Sequence, residues 1–502
     1  MKLLLLLISQ VPSARAYGGA DHDWAVSIAQ AEDGGFAVAG STWGFGSVWI
    51  DLLFLKLSPS GTIEWGKTYR GDGPEWASGV FQAQDGGYAV VGHTRSFGAQ
   101  GTDLLFMRLS PNGEVEGARI IGGEGYDYAG GACQTSDSGY AITGGRYRGP
   151  EGWDLLLVKL SSNGDLEWAK TLDGGGFDYG ESVIQTRDGG FAVAGWTLSF
   201  GSGYSDFLVA RFSPLGKLEW VRAYGGPEHD AAKAILQTQD GGFLVAGETW
   251  GSGAGLSDIL LLKIGADGSL EWGKTYGGPG IDRALSAVEN PEGEVVLGQT
   301  TSFGEGLDDA LLMKIFSDGG LGWAETFGGK DLDSVGRVIS LGDGGFAIVG
   351  STGSYGSGLS DIFVLRVPAD GSYPGCVVPC EPSVADAPAS ESAPVFIGGE
   401  AEFTVAEVNP SLNQCAPSET DICPPSVEES WADKRGPQVI SSPFPGAALF
   451  ASNEEITVEI YSVEGRLVRS VKLTRGKTKV ILSKGVYIWR AGNAIAGKVV
   501  IP

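Results

Sequence analysis

YGGPEHDAAKAILQTQDGGFLVAGETWGSGAGLSDILLLKIGADGSLEWGK, residues Tyr224 to Lys274, is one copy of a unit that fills most of this chain. The aspartate opening its DGG(F/Y) turn, Asp240, has counterparts at Asp33, Asp85, Asp137, Asp188 and Asp343, with Pro291 in the one degenerate copy. The aspartate ahead of its apolar run, Asp258, recurs at Asp51, Asp103, Asp154, Asp206, Asp309 and Asp361. The period is 51 or 52 residues over seven copies, which points to a propeller, solenoid or repeat array.

Within a copy, turn residues separate four short strands, the spacing of an all-β closed architecture. In the first copy these are Trp24 to Ala29, Phe36 to Thr42, Asp51 to Leu57 and Thr62 to Tyr69. The second strand alternates with period two, and the third is almost continuously apolar, as a strand buried on both faces is. The fourth carries Trp65, repeated at Trp168, Trp220, Trp272 and Trp323, a large ring expected to lock one sheet against the next. Asn-Gly and Asp-Gly turns such as Asn163-Gly164 specify the hairpin before it locally.

The copies resemble the DGG(F/Y)xVxG repeats of secreted bacterial β-propeller proteins, in a strand order similar to kelch blades, from Tyr17 to about Ser372. The resemblance implies a seven-bladed propeller, whose closure removes free sheet edges. The seventh copy lacks a fourth strand after Val367, and Ala14-Arg15-Ala16-Tyr17-Gly18-Gly19 matches Val221 to Gly226 at the end of another fourth strand. The N-terminus is thus a candidate for the closing strand.

With 61 acidic against 35 basic side chains the formal charge is −26, which argues against nucleic acid or anionic lipid as partner. No run is apolar for long enough to span a membrane. Lys2, Leu3 to Ile8 and Ala14-Arg15-Ala16 have the parts of a signal peptide, expected over residues 1–16 with the cleavage site open. In an exported chain Cys376, Cys380, Cys415 and Cys423 are expected to form disulfides, with a zinc site as the alternative. Cys133 is expected as a core thiol at the place of Ile28, Val80, Ile184 and Ile235. Residues 373–438 are rich in Pro, Ser, Ala and Glu and read as an extended acidic linker.

Residues 439–502 alternate like an antiparallel β-sandwich. They resemble the type A C-terminal sorting domain of type IX secretion cargo through Ser442-Pro443-Phe444, Ile460 to Arg466, Lys484-Gly485-Val486-Tyr487 and Lys498-Val499-Val500. Family members usually carry Asn-Pro where this chain has Ser442-Pro443. The resemblance implies the type IX machinery as partner and a secreted or cell-surface location.

No phosphate loop, HExxH, GxSxG or CxxC is present. One acid per copy, Asp23, Glu75, Asp127, Asp178, Asp230, Asp282 and Asp333, enters the first strand. Together they would suit calcium at a channel mouth, or else each caps its own turn. No other cofactor is expected. Phe45, Phe97, Phe200, Phe303 and Tyr355 recur in the loop after the second strand, where loop packing competes with sugar stacking. Recognition is expected at positions that vary between copies: Trp43, His93, Arg95, Tyr147, Trp196, Glu248 and Trp250, with Arg146 and Arg148 among their neighbours. With chemistry scattered around the ring, the expectation is a monomeric scaffold that binds a glycan, cation or protein ligand without catalysis. A glycosidase or lyase acting on extracellular polysaccharide is the alternative.

Overall fold

The computed structural model describes residues 13–372 apart from 46–47, 98–100, 124, 148, 202 and 291–292, and after them the backbone of the strands named below. The apolar part of the expected signal peptide, Arg148, Cys376, Cys380 and Cys423 lie outside the described residues, and Cys415 is described by its backbone alone. Two compact units result, Met1–Pro425 and Ser426–Pro502. No helix among the described residues is long and apolar enough to cross a membrane.

The first unit is a β-propeller. In the copy quoted above the four antiparallel strands are Asp230–Gln237, Phe243–Thr249, Asp258–Ile264 and Leu270–Gly277. Equivalent sets occupy 23–70, 75–122, 125–173, 178–225, 282–327 and 333–367, and we number these blades 1 to 7 in chain order, the quoted copy being blade 5. Blade 7 takes its fourth strand from the start of the chain: Ser13–Gly18 pairs antiparallel with the third strand, Ser13 opposite Arg366 and Tyr17 opposite Ile362. Cleavage after Ala16 would remove the first four residues of that strand.

The core lies between blades. Leu244, Ala246, Ile259 and Leu261 of blade 5 pack with Val296, Leu311 and Met313 of blade 6, all buried. Third strands such as Asp258–Ile264 are buried along their whole length, which accounts for their unbroken apolar runs. Two repeated polar clips fix the geometry. Lys263, buried in the third strand of blade 5, reaches Asp240 of the DGG turn at 2.9 Å, and Asp240 also accepts Gly242 N–H at 3.0 Å. Tyr276 donates its hydroxyl to Gly319 O of the next blade at 2.6 Å, as Tyr69 does to Gly113 O at 2.8 Å. The tryptophans lie where expected: a Cβ on Gly371 would meet the Trp323 ring at 2.8 Å.

Residues 377–421, within the stretch expected as a linker, carry seven short strands that add a fifth strand to the outer edge of every blade. Val377–Pro379 pairs with blade 6, Ser383–Asp386 with blade 5, Ser390–Ser392 with blade 4 and Ile397–Glu400 with blade 3. Thr404–Glu407 follows on blade 2, Ser411–Cys415 on blade 1 and Ser418–Asp421 on the closing strand of blade 7. This belt runs round the ring against the order of the blades. Edge pairing uses backbone N–H and C=O groups and needs no apolar side chain, so composition gives no sign of it.

In the second unit Gln438–Ile440, Ala447–Ser452 and Gly476–Ile481 form one antiparallel sheet. Ile456–Ser462, Leu467–Leu473, Gly485–Ala491 and Ala494–Ile501 form another.

Candidate ligand-binding face and channel

The repeated acid stands at the start of every first strand, two residues in on blade 3, at the same ring face, and all seven acids are buried. Each carboxylate accepts the backbone N–H four residues earlier: Asp23 from Gly19 at 2.7 Å, Asp282 from Gly278 at 2.8 Å and Asp333 from Gly329 at 2.7 Å. Hydroxyls add to this, as Ser302 and Ser354 do at 2.6 and 2.7 Å on Oδ2 of Asp282 and Asp333, while Oδ1 of both is buried without a hydrogen-bond partner. The Asp ahead of the preceding blade's third strand comes close too. A Cβ on Gly277 would lie 2.1 Å from Asp258 Oδ1 and 2.8 Å from Asp282 Oδ2, so only glycine separates the two carboxylates there. Among the described residues no three His, Cys, Asp or Glu side chains gather as a metal would need. The loop aromatics cover these turns: a Cβ on Gly278 would meet the Phe303 ring at 2.8 Å, and one on Gly174 the Phe200 ring at 2.4 Å.

Three residues past the acid every first strand slips register against the second, leaving one bulged residue unpaired, for instance between Gly180 and Ser182. The bulge residues are Val26, Ser78, Gly130, Glu181, Lys233, Leu285 and Gly336, and all line a central channel of about 400 Å³. First strands are therefore innermost. A bulge re-aims side chains that alternation would send into the core, and pattern reading could not find these positions because it assumes an unbroken period of two. Cys133 stands one place beyond the position of Ile28, Val80 and Ile235, which Ala132 holds, pairing with Ile142 as Ile28 pairs with Val38. It touches the core between blades 3 and 4 and also lines the channel.

At the channel mouth the residue after each acid pairs with the residue after each VxG, giving Trp24 opposite Ser41, Trp76 opposite His93, Tyr128 opposite Gly145 and Tyr179 opposite Trp196. On blades 2 to 4 these rings make a continuous crescent. Trp76 stacks on His93 with centroids 5.0 Å apart, His93 meets Tyr128 at 5.1 Å, Tyr128 meets Trp153 at 5.4 Å, and Tyr179 stacks on Trp196 at 5.9 Å. Tyr147 joins through Trp153 at 5.2 Å. Arg95 lies over the Trp76 ring and donates to Thr102 Oγ1 at 3.0 Å and Tyr128 Oη at 3.2 Å. Burial, aided by the Arg95 charge, pushes His93 down to about 4, so it presents a neutral ring.

The crescent ends in a cavity of about 440 Å³ lined by Trp196, Ser205, His229, Ala231, Glu248 and Trp250. His229 is held by the Ser205 hydroxyl at 3.2 Å and stacks on Tyr204 at 5.2 Å. Trp196 Nε1 donates to Glu181 Oε1 at 3.2 Å, and Lys233 reaches the same oxygen at 2.6 Å, which ties the cavity rim to the channel. Of the residues singled out by their variability, Trp196, Glu248 and Trp250 share this cavity, and His93, Arg95 and Tyr147 sit along the crescent. Trp43 stands apart beside His22 on blade 1, 5.9 Å between rings. Arg146 lies 3.8 Å from Asp127, opposite it in the strand pairing of blade 3. Trp76, Tyr128, Trp153 and Tyr179 were not foreseen. For Trp76, Tyr128 and Tyr179 the signal was the aromatic after the acid in blades 1 to 4, given meaning only once first and second strands are paired in register; Trp153, at the start of a third strand, has no such repeat signal.

No family model and no curated protein matches the chain. Among solved structures it is similar to a structural-genomics protein assigned as a gluconolactonase, at 12% identity over 71% of this chain and 94% of that one, TM-score 0.35. It is also similar to PorZ, a surface component of the type-IX secretion system of Porphyromonas gingivalis, at 12% identity over 95% and 73% with TM-score 0.26. A third similarity is to the endo-1,5-alpha-L-arabinanase of Thermotoga petrophila RKU-1, at 10% identity over 70% and 99% with TM-score 0.25.

Proposed function

We propose that the propeller is a binding scaffold for an extracellular glycan, held on the crescent of blades 2 to 4 and in the cavity beside Trp250. The observation that carries this reading is the unbroken run of rings from Trp76 to Trp196 at one face. Flat aromatic faces beside Arg, Glu and Ser side chains suit sugar rings, which offer an apolar C–H face and polar edges. A second reading rests on Glu248 and His229, which line one cavity and could act as an acid and base on a bound polysaccharide.

A glycan array followed by calorimetry and product analysis on the full chain separates the two. Trp196→Ala and Trp250→Ala are expected to weaken glycan binding about fivefold or more each, since each removed stacking contact is worth ~1 kcal/mol or more. Binding without new reducing ends supports the scaffold. Turnover abolished by Glu248→Gln would establish the enzyme, and binding unchanged in both tryptophan variants would rule out this face.

The route to the glycan is proposed from the resemblance of residues 439–502 to a sorting domain: export, then passage of the outer membrane through the type IX machinery. Deleting Ile456–Pro502 is expected to leave the protein in the periplasm. Normal release of the truncated chain would refute the route.

A further inference from the structure

Blade 7 places Arg337 in the central channel, one residue after its bulged glycine. At that register position the other blades have only Ser27, Gly79, Gly131, Ser182, Ala234 and Ser286. A single long cation therefore enters a lumen whose wall is otherwise small at this level. The remaining channel charges are matched: Lys233 sits 2.6 Å from Glu181, and Glu289 lies 3.5 Å from Arg187. Arg337 is not. Among the described residues no hydrogen bond or ion pair reaches its guanidinium, and its titratable neighbour is the Cys133 thiol.

A protein with 61 acidic side chains has thus left one half-buried channel cation without a carboxylate. Burial holds Arg337 below its ordinary range, yet a guanidinium stays protonated at any physiological pH. A partly desolvated charge with no partner gains from a counter-ion that neutralises it. A cavity of about 400 Å³ gives that ion room. Ser286 adds a hydroxyl on the adjoining blade: it accepts Val338 N–H at 3.3 Å and keeps its own proton to donate. We propose that the central channel is a binding site for a small oxyanion, either a tetrahedral sulfate or phosphate or a planar carboxylate, seated on Arg337.

The test uses the full chain in low-salt buffer, titrated with sodium sulfate, sodium acetate or sodium chloride at matched ionic strength. It reads the unfolding midpoint and, by peptide mass spectrometry, the rate at which N-ethylmaleimide labels Cys133. Sulfate or acetate is expected to raise the midpoint saturably and to slow Cys133 labelling at least about fivefold. Whichever of the two saturates at lower concentration identifies the tetrahedral or the planar class. Both effects should vanish in Arg337→Gln and persist in Lys217→Gln, which removes an exposed cation away from the channel. If Arg337→Gln does not fold, Arg337→Lys decides, because losing the two-pronged fork should weaken the response about tenfold. Equal responses to all three salts, or an undiminished response in the Arg337 variants, would overturn the proposal.

Discussion

Glu75 stands where the other six copies have aspartate, and burial pushes its carboxyl up to about 7 although Ser96, Gly71 and Thr94 all hydrogen-bond it. Burial does the same to Asp127, up to about 7 against the pull of Arg146, and to Asp103, up to about 6. For a group raised in the folded state, the stabilisation is fully present below the unfolded value near 4 and is lost as pH rises through the folded one. The thermal midpoint is therefore expected to be higher at pH 5 than at pH 8, and Glu75→Gln to flatten part of that slope, by roughly 1–3 kcal/mol. The opposite behaviour belongs to the DGG turn. The Thr238 hydroxyl and Lys263 ammonium hold Asp240 down to about 2, so its contribution persists through neutral pH and disappears only as pH falls from about 4 through 2. Asp240→Ala should cost about 1–2 kcal/mol at pH 7, discounted because the carboxylate is half exposed. Urea unfolding of wild type and both variants at three pH values checks the two signs. Sequence showed where these acids lie, since repetition marks them, but not their surroundings. Asp127 and Asp240 are each a once-per-repeat aspartate, and burial of the first against the Thr238 and Lys263 hydrogen bonds of the second separates a carboxyl near 7 from one near 2.

The strand Ser13–Gly18 is the element on which ring integrity turns. Ala14, Ala16 and Tyr17 are buried, and Tyr17 donates its hydroxyl to Gly61 O of blade 1 at 2.5 Å, as Tyr276 does to the blade after it. A chain beginning at Tyr17 would leave the third strand of blade 7 unpaired along most of its length. It is expected to unfold at a markedly lower temperature than one beginning at Ser13, and the mature N-terminus of exported protein to lie at or before Ser13. N-terminal sequencing and a melting curve of each form check both. The fourth strand of blade 7 was readable because Ala14 to Gly19 copies Val221 to Gly226 in side chains. The belt was not, because pairing such as Thr275 with Ala385 is made by main chain alone. The bulges were hidden for a related reason: Glu181 and Lys233 look like the exposed face of an alternating strand, yet they line the channel.

Across the whole molecule, the division at Pro425 and Ser426 predicts that brief trypsin treatment cuts at Lys434 or Arg435 and releases two stable fragments. Early cuts at Glu391, Glu400 or Glu407 by a glutamate-specific protease would mean that the belt does not stay on the blades. The belt also sets how the molecule bears load. If the Ser426–Pro502 unit is tethered and the propeller holds a ligand, tension enters through Asp421 and reaches first the pairing of Ser418–Asp421 with the closing strand of blade 7. The next strands in line are those on blades 1, 2 and 3, each only four or five residues long. Such a connection yields by peeling, one short strand after another, and the ring stays shut while the tether lengthens. In a single-molecule pulling trace this would appear as a staircase of small extensions at low force ahead of the large unfolding event, a mechanical fuse wound around the binding domain.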